Sequence, residues 1–281
     1  MTLMTSRPTL LALLLMSTLS ASAAETAVTA NNADQVGKMA EEYLVAHPEK
    51  IGEVLSTYLA EHPEFLVAAG ENLRQRQQQA QQEAMVQLAL EHQAELLSKD
   101  TPSVGPVDAK AAVVMFFDYQ CAYCSKMAPV VESLVKANPD VRFVFKELPI
   151  FAPRWPVSGQ AARTGLKIWQ EKGADAYIAY HNGLYATGHN EGALTQDDVH
   201  QIAAPYLSKD TLVALDKNAA DSKENAVLKA NTALAQTMHF TGTPAFVVMP
   251  QNKGTATQIT VLPGATEQST LQTAISKASG K

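Results

Sequence analysis

The chain has 281 residues, a formal charge of −6 and two cysteines. Mild acidity without a basic run gives no reason to propose nucleic acid as a partner, and the length suits one substantial domain plus a smaller one. Two cysteines three apart close too small a loop to staple a fold of this size, so they are better explained as chemistry than as a structural bridge.

In chain order, residues 1–23 read as a signal peptide. Arg7 precedes a short apolar run from Leu10 to Leu19, and Ala21-Ser22-Ala23-Ala24-Glu25 follows as a small-residue cleavage pattern, with the cut expected near Ala23 or Ala24. The run falls short of the roughly 20 apolar residues of a membrane span. A soluble chain outside the cytoplasm is the expectation.

Residues 24–70 read as a helical oligomerisation segment. Tyr43-Leu44-Val45-Ala46-His47-Pro48-Glu49 recurs as Tyr58-Leu59-Ala60-Glu61-His62-Pro63-Glu64, and each proline fits the first turn of a helix, where no backbone donor is lost. His47 and His62 are therefore read as helix starts rather than as metal ligands. Met39, Tyr43, Ile51, Val54, Tyr58 and Phe65 belong to an apolar stripe. So small a helical unit seldom stands alone, and oligomerisation is one common remedy.

Residues 71–106 read as a helical arm and linker. Arg74 to Gln82 carries no large apolar residue, which predicts a long helix without a buried face, weakest in its Gln-rich stretch. Thr101-Pro102-Ser103-Val104-Gly105-Pro106 breaks any helix and marks a boundary.

The remainder, 107–281, reads as the catalytic domain. Ala111–Asp118 has the β-branched and aromatic character of a buried strand, Cys121–Ala137 has helical periodicity, and Val141–Phe145 is a second strand, an order that suits a parallel βαβ unit. A helical insertion spans about 158–236, with breaks expected at Gly183 and at Gly188 to Gly192. Strands at Ala245–Met249 and Ile259–Leu262 and a helix from about Glu267 to Ala278 complete it. The predicted class is α/β: a thioredoxin-like fold with a helical insertion, preceded by an all-helical oligomerisation segment.

A Cys-x-x-Cys at a strand–helix junction puts Cys121 at a helix N-terminus, where free backbone N–H groups and the macrodipole favour an anion. Its thiolate is a nucleophile and a good leaving group. Cys124, one turn on, is expected to be more buried and to resolve a mixed disulfide. Half of a zinc site is the competing reading, but no second Cys pair exists to complete four-coordination. No metal and no cofactor beyond the redox-active Cys121–Cys124 pair are expected. Tyr123, between the cysteines, is expected to line the substrate surface, while Trp155 and Trp169 are read as packing or surface aromatics. In Gly242-Thr243-Pro244-Ala245 a proline opens a strand after a Gly-Thr turn, compatible with a cis bond or with an ordinary trans proline.

Taken together, Asp118-Tyr119-Gln120-Cys121-Ala122-Tyr123-Cys124, Lys146-Glu147-Leu148-Pro149 and Gly242-Thr243-Pro244-Ala245 resemble the DsbA-like thiol–disulfide oxidoreductases over about residues 107–280. The helical N-terminus adds a likeness to their ScsC-like branch, whose members are periplasmic and trimeric. The resemblance implies that Cys121 is the nucleophile, that Cys124 resolves, and that Thr243 and Pro244 form a cis-proline loop facing them. Thr before the proline is similar to isomerase and ScsC-like members. The chain departs from the family at Met115, where a buried Glu is common, which leaves Asp118, Glu147 or water to carry the Cys124 proton. Ala122 also departs from the family pattern.

The function expected is disulfide isomerase with some thiol oxidase capacity, acting on unfolded or misoxidised exported proteins as a homotrimer with a membrane redox partner. The alternative is a periplasmic copper-binding or copper-tolerance protein using the reduced pair as a soft Cu(I) ligand. An adhesin or assembly scaffold is a third possibility.

Overall fold

The computed structural model describes residues 19–217 and 219–281, so the expected leader lies outside the described residues up to position 18. The chain divides into two compact units, Met1–Arg76 and Gln77–Lys281.

The first unit holds α1 (Leu19–Ala46), α2 (Pro48–Glu61) and the first part of α3 (Glu64–Glu91). The repeated heptapeptide has a repeated conformation. His47 sits at φ −129°, ψ 64° and His62 at φ −126°, ψ 63°, each interrupting the helix where a proline follows. Tyr43 packs on His47 and Tyr58 on His62 at 4.5 Å between ring centroids, while His47 Nδ1 and His62 Nδ1 lie 3.1 Å from the carboxylates of Glu49 and Glu64. None of the residues of α2 is buried.

The second unit is built on a five-stranded sheet. β1 (Ser103–Val104), β2 (Ala111–Phe117), β3 (Arg142–Glu147), β4 (Ala245–Pro250) and β5 (Thr260–Pro263) lie in the order β1-β3-β2-β4-β5. β2 and β3 are parallel, joined through α5 (Ala122–Ala137), and the other pairs are antiparallel. Between β3 and β4 come α6 (Val157–Ala186), α7 (Gln196–Ala203), α8 (Lys209–Lys217) and α9 (Lys223–Thr237), which are the expected insertion. α10 (Gln268–Ala278) closes the chain.

Side chains alternate across a strand, so the central strands feed two cores. Val113, Met115, Phe117, Phe145 and Phe246 belong to one, with both cysteines and residues of α5, α6 and α10. Ala112, Val114, Phe116, Val144 and Val247 belong to the other. Burial on both faces is why these strands read as continuous apolar runs.

The expected arm differs from the observed one. α3 runs unbroken through the Gln-rich stretch, but from Gln82 onward the chain is part of the second unit's core: Ala89 of α3, and Leu96 and Leu97 beyond its end, are buried in the second cluster. The short helix α4 (Gln93–Leu96) ends against two buried cations of β3. Lys146 Nζ donates to Glu95 O at 2.8 Å and Arg142 to Leu97 O at 3.2 Å, which satisfies orphan carbonyls at a helix C-terminus with positive charge. The boundary therefore falls near residue 76 rather than at 101–106, and the latter segment contains the edge strand β1. In α6 the break occurs at Gly173 (φ 78°), whereas Gly183 stays helical and serves close packing, since a Cβ there would meet Ile202 at 2.9 Å.

Candidate active site

β2 ends at Phe117, and the turn Asp118-Tyr119-Gln120 delivers the chain to Cys121, the N-cap of α5. Asp118 shapes that turn. Its carboxylate accepts Gln120 N–H at 2.8 Å, Phe151 N–H at 2.9 Å and the Ser158 hydroxyl at 2.8 Å, while its carbonyl accepts Cys121 N–H and the Tyr185 hydroxyl, each at 3.1 Å. One buried side chain thus ties the turn before Cys121 to the loop after β3 and to the start of α6. Gln120, fully buried, ties it to a second loop: its Oε1 accepts Gly192 N–H at 2.8 Å and its carbonyl accepts Glu191 N–H at 2.9 Å.

At the N-cap, Cys121 Sγ accepts the N–H of Cys124 at 3.3 Å and faces the carbonyl of Thr243 at 3.2 Å across the Thr243–Pro244 bond, which is cis. Both sulfurs are free thiols, with Cys121 3 % and Cys124 0 % exposed. Their acidities are pulled apart. The Cys124 thiol that hydrogen-bonds it, with help from Thr243 and the helix N–H groups, outweighs burial and brings Cys121 down to about 6. Cys124 is pushed well above the usual thiol range, by burial first and by its hydrogen bond to Cys121 second. The Thr243 hydroxyl, which is buried, helps to lower both.

The two carboxyl groups named for proton transfer are both buried close to the Cys121 turn or behind it. Asp118, raised by desolvation, has its carboxylate oxygens engaged by the donors named above. Glu147 is fully buried and its carboxyl is pushed well above the usual carboxylate range by desolvation; its Oε1 accepts the hydroxyls of Tyr119 at 3.1 Å and Tyr177 at 2.9 Å, while its Oε2 is buried without a partner. Met115 is buried in the cluster that contains both cysteines. Tyr123 is 61 % exposed, with Lys126 Nζ 5.2 Å from its ring centre. Among the described residues no group of three or more His, Cys, Asp or Glu side chains could hold a metal.

Sequence reasoning missed Tyr119, Tyr177 and Tyr185, which line the space behind the cysteines, and His181 among them. His181 is fully buried, its ring packs against Phe117 at 4.9 Å and Tyr185 at 5.0 Å, and burial lowers it to about 4. Tyr119 and Gln120 had a local signal, their place just before Cys121.

The chain matches the model of the DSBA-like thioredoxin domain over residues 112–276. It is similar to the crystal structure of BcfH from Salmonella enterica Typhimurium, with 61% identity over 86% of this chain and 100% of that one and a TM-score of 0.79. A periplasmic thioredoxin-like protein from Salmonella enterica serovar Typhimurium shares 25% identity over 67% of this chain and 96% of its own, with a TM-score of 0.53. The catalytic domain of Proteus mirabilis ScsC, at 24% identity, 70% and 99% coverage and a TM-score of 0.54, shares the fold. No curated protein matches the chain. The thioredoxin-like core, its helical insertion and the matched domain together place this chain in the DsbA-like family of thiol–disulfide oxidoreductases.

Proposed function

We propose that the chain is a periplasmic disulfide isomerase with some thiol oxidase capacity, acting on exported proteins through Cys121 and Cys124. The observation that carries the reading is the divided pair: one thiol brought down to about 6 at a helix N-terminus, the other buried and held protonated, facing a cis proline. At neutral pH the Cys121 thiolate attacks a client disulfide, forming a mixed disulfide and releasing one client thiolate, which takes a proton from water. A second client thiol then attacks the client sulfur, which yields a rearranged bond and frees Cys121. If none arrives, Cys124 attacks Cys121 instead, its proton and the electron pair of the broken bond leaving with the client thiol. Burial and retained protonation of Cys124 slow this escape, which favours isomerisation.

Assembly as a homotrimer is supported by the bare apolar stripe of the first unit, where Val36, Met39, Val54 and Leu66 are more than half exposed. A membrane redox partner is the expected electron source. Periplasmic location is supported by the leader-like N-terminus and by the periplasmic relative.

The test is reactivation of scrambled ribonuclease by the purified mature protein. It should proceed with the natural pair and fall to background in Cys121→Ala, while alkylation of reduced Cys121 should titrate with a midpoint near pH 6. A midpoint above 8 would remove the basis of the reading. A second reading, Cu(I) binding, is favoured by Met115 and Met127, two thioethers in the buried cluster that holds both cysteines. Tight Cu(I) binding by a protein that neither isomerises nor oxidises would select it.

A further inference from the structure

One cation stands on the aromatic ring between the cysteines and a second on a ring whose packing is tied to the Cys121 turn, and the mechanism uses neither. Lys126 lies over Tyr123, between the cysteines, at 5.2 Å, and the Arg154 guanidinium lies over Trp155 at 4.6 Å. Among the described residues neither Lys126 nor Arg154 has an ion-pair partner, although the chain is acidic overall.

Trp155 is seated in a built wall. Phe151, 5.4 Å from it between ring centres, is fastened to Asp118 through its N–H at 2.9 Å. On another side Gly192 approaches so closely that a Cβ would meet Trp155 Nε1 at 2.8 Å, and Gly192 is fastened to Gln120 at 2.8 Å. Both ties end on residues of the turn that presents Cys121. Holding this second loop in place puts Glu191 at φ 51°, outside glycine's usual monopoly on that region, a conformation that persists where the surroundings over-determine it. Ile150, 40 % exposed, adds an apolar step to the wall.

An arginine stacked by its face leaves its N–H edges free, and those edges match a carboxylate in two-point geometry. The stacked aromatic also anchors it at a fixed position, so less side-chain freedom is lost on binding.

We propose that Lys126–Tyr123 and Arg154–Trp155 form a docking surface for an extended client segment that carries acidic side chains near its reactive cysteine. This rests on the reading of Cys121 as the nucleophile. The surface selects by short-range pairing, because the net charge of the whole chain repels acidic clients at long range. Glu191, exposed on the neighbouring loop, opposes the selection.

The experiment uses the full mature chain with Cys124→Ala, which traps the mixed disulfide, and three disulfide-bonded peptides that differ only in Asp, Ser or Lys beside the cysteine. At 0.15 M salt, where the Debye length is about 8 Å, the Asp peptide should react about tenfold faster than the Lys peptide. Lys126→Glu with Arg154→Glu should reverse the order, and Glu191→Gln should widen the preference. At 1 M salt, with a Debye length of about 3 Å, the preference should collapse. Equal rates for the three peptides, or an equal loss on all three in the double variant, would overturn the docking surface and leave the oxidoreductase reading standing. No reaction with any peptide would overturn both.

Discussion

α2 in the first unit and α10 in the second are helices of 14 and 11 residues, each with an apolar face. The face of α10 is spent inside the chain, with Leu271, Ala274, Ile275 and Ala278 all buried. The face of α2 buries nothing, and Val54 is 71 % exposed. Equal local patterning thus produces opposite outcomes, because amphipathicity states that a face needs a partner without saying where the partner is. A helix that finds it in the sheet adds to the fold. One that does not is material for association with another copy.

Truncation tests where the two regions part, and has the largest expected effect. Deleting residues 24–76 should leave a folded, monomeric second unit. Deleting 24–100 should not, because it strips Leu96 and Leu97 from the second core, at about 1.5–3 kcal/mol each, and removes carbonyl acceptors from the buried Lys146 and Arg142, at about 1–3 kcal/mol each. That sum rivals the whole stability of a domain, about 5–15 kcal/mol. Urea unfolding followed by circular dichroism separates the two deletions; equal midpoints would mean that the 77–100 segment is dispensable.

Placing the same charge on each helix sharpens the contrast. Ile275→Asp, at a position 2 % exposed, should cost about 3 kcal/mol or more by burying an unpaired polar group. Val54→Asp should leave the melting of the second unit unchanged and convert an oligomer to monomer by light scattering. An oligomer that survives Val54→Asp would remove the role given to the stripe.

A smaller effect belongs to the second unit alone. His181 has a folded value of about 4, below its unfolded value of about 6.5. Between these values the unfolded chain binds more protons, so stability is lost as pH falls from about 6.5 to 4. His181→Phe should recover about 3 kcal/mol at pH 4 and also remove the buried, unpartnered Nε2, read as a flatter urea midpoint against pH. An unchanged acid slope would assign the loss to another group.

Much of this architecture was legible because it is local. Seven consecutive buried residues announce β2, and helical spacing after Cys121 announces α5. β1 was not legible: two residues among Thr, Pro and Ser become a strand only by pairing with Val144 and Phe143. The buried end of α3 was hidden by its Gln and Glu neighbours, since Ala89, Leu96 and Leu97 gain meaning only against the sheet. Asp118 and Glu147 looked like proton acceptors. Their hydrogen-bond partners, Ser158, Phe151, Tyr119 and Tyr177, were not legible, because those from beyond the turn arrive through the loop after β3 and through α6.

By itself the sequence determined the two sulfurs and their spacing, one turn apart at a strand–helix junction, which covalent spacing dictates. Only the tertiary structure decided how far apart their acidities lie, because burial of Cys124 and the Thr243 hydroxyl come from packing the insertion and β4 against the start of α5. Desolvation and hydrogen bonding act through space, and no spacing along the chain encodes them.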